Sequence, residues 1–188
     1  MLNRIIGEVR TCIEHNCFIA ALSLALTLPD ICGKAEYPNE GNTSRYIKWF
    51  NEYIGKYESH FDDCNDDMPY ISGELIYNLR NSILHQGNPN IEAKKIKEDR
   101  CKVNQFILSI SDFTDGGLQM VSYGKNNIIV ERMITINMVN LCWKLCRAAK
   151  KYYQSNTQKF NFFNYQIEYE RNDIDDIFDI NDIDRWDD

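Results

Sequence analysis

Apolar residues recur at helical intervals along most of this chain. Ile5, Val9, Ile13, Cys17, Ala20, Leu24 and Leu28 follow one another at steps of three or four. The spacing predicts one long N-terminal helix, or two joined near His15-Asn16, with Pro29 and Gly33 as the stop and a loop over 33–43. Thr43 or Ser44 is placed to cap a helix that carries Tyr46, Ile47, Phe50, Tyr53, Ile54 and Tyr57 on one side. An acidic loop over 59–69 ends at Pro69. Ser72 then opens a segment whose last signals are Gly87 and Pro89, with Glu74 in its first turn where the helix dipole favours a carboxylate. A basic stretch over 91–102 is expected to be helical. From Val103 to Met133 the period shortens, and QMVSYGKNNIIVER predicts a hairpin about Gly124–Asn127. Met138, Val139, Cys142, Leu145, Cys146 and Ala149 restore helical spacing from about Thr135 to about Tyr153. The expected fold class is all-α, a helical bundle with a small β-hairpin insertion around 103–133.

Charge divides the chain in two. The net charge is −7 over 188 residues. Residues 160–188 hold ten acids and two bases, which leaves 19 bases and 18 acids in 1–159. A nearly neutral helical domain, 1–159, therefore carries an acidic C-terminal tail, 160–188. A polyanion can dock on a local basic patch of the body despite the negative total. Seven cysteines at irregular spacings fit reduced thiols in a cytoplasmic protein. The longest apolar run, Cys17 to Leu28, covers 12 positions, short of the roughly 18–20 needed to cross a bilayer. No signal peptide, membrane contact, cofactor or metal is expected.

The segment that carries chemistry is Arg80-Asn81-Ser82-Ile83-Leu84-His85. On a helix from Ser72, Leu75, Ile76, Leu79 and Ile83 form one apolar group and Tyr77 with Leu84 a second, with Arg80 between them. Asn78, Asn81, Ser82 and His85 occupy the opposite arc, so Asn81 and His85 are i,i+4 neighbours with Arg80 beside them. His85 falls in the last turn, where the helix dipole favours positive charge. An imidazole that exchanges a proton near neutrality suits general acid–base catalysis, and an adjacent guanidinium suits the charge that gathers on a phosphodiester in its transition state.

These residues resemble the R-N-x-x-x-H signature of the HEPN superfamily. The resemblance covers this helix and the helical pattern around it, about 20 residues of motif context. It implies a small bundle that dimerises so that two signatures form one composite site. The implied activity is that of a metal-independent endoribonuclease in a toxin–antitoxin or antiviral defence system, with RNA as substrate. Arg80, Asn81 and His85 are the implied catalytic residues. An antitoxin or other protein partner engaging the acidic tail is a further expectation. Gly87 stands where some toxins of the superfamily carry a tyrosine two residues after the histidine. The alternative is a non-catalytic interaction or nucleotide-sensing module.

Other candidates have plainer readings. Arg10 and His15 repeat the Arg-x4-His spacing, but Thr11 follows the arginine. Asp62, Asp63, Asp66 and Asp67 lack the glycine and closing glutamate of a calcium loop. Cys142 and Cys146 share a helix face but no further ligand completes a zinc site, so they are expected in the core. Tyr46, Trp49, Phe50 and Tyr53 are likewise expected there. Lys144, Arg147 and Lys151 share a face of the last long helix. There they either meet solvent or track phosphates.

Overall fold

The N-terminal stripe breaks at His15-Asn16. Helix α1 (Leu2–Glu14) ends there, Asn16 takes a left-handed φ of 59°, and α2 (Phe18–Ala25) starts afresh. The computed structural model describes residues 1–58, 67–88, 91–110 and 117–162. Pro29 and Gly33 do not end the helical region. They lie inside α3 (Leu28–Glu36), with Pro29 in its first turn. A proline is tolerated there because that N–H has no partner within the helix. By length and composition alone, Phe18–Glu36 is apolar enough to cross a membrane, with a mean hydropathy of 1.4. Half of that stretch is buried inside the fold, and Ala21, Leu22, Ala25, Leu26, Leu28 and Cys32 are fully enclosed.

Helix α4 (Asn42–Phe50) continues through a π-helical turn, Asn51–Gly55, into a single last turn, α5 (Lys56–Glu58). Its aromatic face points inward, with Tyr46, Trp49 and Phe50 fully buried. Trp49 stacks on Tyr53 at 5.1 Å between ring centres. Helix α6 (Gly73–Gln86) packs on α4, and α7 (Met138–Ser155) packs on α1, α2 and α3.

The all-α expectation is corrected by a three-stranded mixed sheet. Strands β1 (Gln105–Ser109), β2 (Gly117–Tyr123) and β3 (Ile129–Asn137) run in the order β1-β3-β2. β2 and β3 pair antiparallel across a turn in which Asn126 and Asn127 are left-handed. β1 adds to the far edge of β3 in parallel, Gln105 opposite Met133 and Ser109 opposite Asn137. The sheet is therefore part of the domain's framework. Ile134 and Ile136 lie in the same core cluster as the helices. β-branched Thr135 and Ile136 keep the chain extended to Asn137, which caps α7 by accepting a hydrogen bond from the Asn140 N–H at 3.1 Å.

The basic stretch after α6 is not a helix either. It holds two single 3₁₀ turns, Ala93–Lys95 and Asp99–Cys101. Its buried residues Ile96 and Cys101 stand five apart, off a helical period. At the other end of the domain Phe160 is buried against Tyr152 and Tyr153. The acidic tail from 163 onward lies outside the described residues.

Candidate functional site on helix α6

Helix α6 is fixed at its start and exposed at its end. The Ser72 hydroxyl accepts from the Leu75 N–H at 3.2 Å, and Asn51 Oδ1 accepts from the Gly73 N–H at 2.7 Å. A Cβ on Gly73 would lie 2.6 Å from the Ile47 carbonyl oxygen, so only glycine lets α6 approach α4 this closely. Glu74 in the first turn accepts from the Lys97 N–H at 2.8 Å. At the other end Gly87 takes a φ of +67° and its N–H bonds to the Ile83 carbonyl at 3.1 Å. This left-handed cap stops the helix two residues after His85. Leu84, His85 and Gln86 are exposed.

The three expected site residues are gathered at this end. Arg80 Nη1 donates to Asn81 Oδ1 at 2.9 Å and lies 3.5 Å from His85 Nε2, a long contact. Asn78 and Ser82, expected on the same polar arc, are buried instead. The Asn78 amide is satisfied within the helix, donating to the Glu74 carbonyl at 2.9 Å.

Two residues not singled out in the sequence complete the surroundings. Asp30, in the first turn of α3, accepts from Arg80 Nη2 at 2.9 Å. The pair is mostly buried, with about a fifth of each side chain exposed, 22% for Arg80 and 20% for Asp30. Burial raises the Asp30 pKa above the usual carboxylate value, and attraction to Arg80 and Arg45 offsets only part of the rise. Among the described residues, Nε of Arg80 and Nε of Arg45 are buried without a hydrogen-bond partner. Tyr46, which donates to the Leu26 carbonyl at 3.1 Å, has its phenol pushed well above normal by burial and then by Asp30. Asp30 stands fifty positions before Arg80, and no spacing rule links the two. The only local signal was an acid in a helix's first turn.

A cleft of about 540 Å³ opens between β1 and the residues after α6, with Asn88, Ile91, Asn104 and Phe106 in its lining. It begins three residues past His85, and the side chains of Arg80, Asn81 and His85 do not line it.

The remaining candidates resolve as follows. Arg10 turns to Glu14 at 2.7 Å and His15 Nδ1 lies 2.9 Å from the Thr11 carbonyl, so they do not meet. Cys142 and Cys146 are buried, and burial pushes their thiols up to about 12 and about 11. Among the described residues no group of three His, Cys, Asp or Glu side chains is arranged to hold a metal ion. Asp62, Asp63 and Asp66 lie outside the described residues, while Asp67 accepts from the Tyr123 hydroxyl at 3.0 Å. No family model, no curated protein and no solved structure matches this chain.

Proposed function

We propose that this protein is a metal-independent endoribonuclease that cuts single-stranded or looped RNA, working as a homodimer in a toxin–antitoxin or antiviral defence setting. The observation that carries the reading is the Arg80 guanidinium in contact with Asn81 and beside the exposed His85 ring at the capped end of α6. The RNA 2′-OH would attack the adjacent phosphorus while His85 Nε2 takes its proton. The P–O5′ bond would break, and the departing 5′-oxygen would receive a proton from His85 of a second copy. Arg80 would balance the charge on the non-bridging oxygens, and Asn81 would hold the guanidinium in register. The products would be a 2′,3′-cyclic phosphate and a 5′-hydroxyl. Each chain offers one such imidazole, hence the dimer. The described cysteines are all free thiols, which fits the reducing cytoplasm this reading assumes.

The test is incubation of the purified protein with single-stranded RNA in chelator, followed by end-group analysis. Cyclic-phosphate ends that disappear in His85→Ala support the reading. A requirement for divalent metal, or cleavage that persists in His85→Ala, overturns it. One observation favours a second reading. The Arg80–Asp30 ion pair is also what a purely structural arginine makes, as expected of a non-catalytic interaction module or nucleotide sensor.

A further inference from the structure

On another part of the molecule, α7 and the end of α4–α5 enclose a groove of about 500 Å³. One wall is a single file along α7: Lys144, Arg147, Lys151 and Ser155. Steps of three and four residues keep these side chains on one helix face, and Lys144 to Lys151 spans roughly 10 Å of axis. The opposite wall carries Lys56 and Tyr57, with the Lys56 ammonium 5.1 Å from the Tyr57 ring centre. Tyr57 is 61% exposed, unusual for a large aromatic side chain on a helix whose other aromatics are mostly buried. Among the described lining residues the one acid, Glu58, is almost fully enclosed and already bound to Lys144 at 2.5 Å. Arg147 and Lys151 make no ion pair among the described residues.

Among the described lining residues four cations stand with one carboxylate, on a chain whose total is −7, a local reversal of charge. A linear row of cations facing an exposed ring matches the way single-stranded nucleic acid is held, with phosphates along the bases and a nucleobase on the aromatic. We propose that this groove binds a short stretch of single-stranded RNA, its phosphates along Lys144, Arg147 and Lys151 and one base against Tyr57. The proposal takes its ligand from the reading above and places binding on a face separate from Arg80 and His85. An acidic peptide would use the same cations and ignore the ring.

The probe is a fluorescein-labelled ten-nucleotide oligouridylate, titrated with the full-length protein and followed by anisotropy at several salt concentrations. Three phosphate contacts give a log–log salt slope of about −2. Arg147→Glu/Lys151→Glu changes two exposed helix positions, and circular dichroism checks its fold. It is expected to weaken binding at least tenfold at low salt and to flatten the slope by about 1.4. Tyr57→Ala is expected to weaken binding at least fivefold with the slope unchanged. Equal affinity of the folded double variant overturns the groove, even if the protein cuts RNA. So does a labelled ten-residue oligoglutamate that binds as tightly while Tyr57→Ala has no effect. Wild-type binding without cleavage overturns only the nuclease reading.

Discussion

Arg10 and His15 stand at the end of α1 at the same spacing as Arg80 and His85 on α6, and each pair is followed within two residues by a left-handed one, Asn16 or Gly87. The surroundings differ. Arg10 is 68% exposed and held by Glu14, one turn along its own helix. Arg80 is 22% exposed and held by Asp30 from another helix, with Asn81 and His85 on its second amino group. A guanidinium tethered only to its own helix in water has many rotamers of similar energy. One fixed from a second element in a partly dry site is aimed, and preorganised charge in a water-poor site is what phosphoryl chemistry uses. The spacing alone therefore does not fix the guanidinium. Tertiary partners make the difference.

The largest expected contrast is catalytic. His85→Ala should lower RNA cleavage by about a thousandfold, within the range for loss of a general acid–base. Arg80→Ala should cost about a hundredfold or more. Arg10→Ala and His15→Ala should leave the rate unchanged, and equal losses at the two segments would erase the distinction. Initial rates on one labelled RNA measure all four. The next contrast is in stability. Asp30→Ala leaves Arg80 and Arg45 without their shared carboxylate, and removing one partner of a mostly buried pair should cost about 2 kcal/mol. Glu14→Ala, at an exposed i,i+4 pair, should cost under about 0.5 kcal/mol. Urea denaturation midpoints at neutral pH compare the two.

The helix that carries the site was legible because its signals are local. Ser72 caps it, Glu74 suits its dipole and Gly87 ends it. The part that fixes Arg80 was not legible, since Asp30 meets it only after α3 and α6 are brought together. Misjudging α3 hid Asp30 further. Pro29 looked like a stop, but a first-turn proline begins a helix equally well, and here it lies in the first turn of α3. The sheet shows the same division. The β2–β3 turn is written in adjacent residues, whereas the parallel pairing of β1 with β3 joins positions 28 apart, such as Gln105 and Met133. Asn78 was misplaced because a polar side chain on a helix can satisfy itself within the helix and then be buried.

The two helix ends can be compared directly. Gly87→Ala puts a Cβ on a backbone with a φ of +67°, and should cost about 1 kcal/mol although nothing crowds that position. Asn16 at 59° already bears part of that penalty, so Asn16→Ala should cost roughly 0.5 kcal/mol. In Gly87→Ala the last turn of α6 should also loosen. Cleavage should then fall more than global stability does, whereas Asn16→Ala should leave cleavage alone. A cleavage rate for Gly87→Ala equal to wild type would show that the cap does not position His85.

The smallest expected effect concerns how firmly Asp30 stays ionised, and here the sign is informative. Its folded pKa is raised, so the native state binds a proton more readily than the unfolded chain. Stability is linked to that difference, and the penalty of burying the charge is fully present above the folded pKa. It is relieved as pH falls through the folded pKa towards the unfolded value near 3.8. The wild type should therefore gain on Asp30→Asn as the solution is acidified across that window. Glu36 provides the opposite case. Burial alone would raise its pKa, but hydrogen bonds from Lys159 at 2.6 Å and Tyr152 at 2.5 Å bring it below the usual value. Its contribution is present above the unfolded value near 4.5 and is lost as pH falls through the lower folded one. The wild type should accordingly lose ground to Glu36→Gln as the solution is acidified. Urea midpoints of the three proteins from pH 7 to pH 3 read both differences. Slopes of the same sign would mean that Asp30 is held as an ordinary paired carboxylate. The environment of Arg80 would then resemble that of Arg10 more than its burial implies.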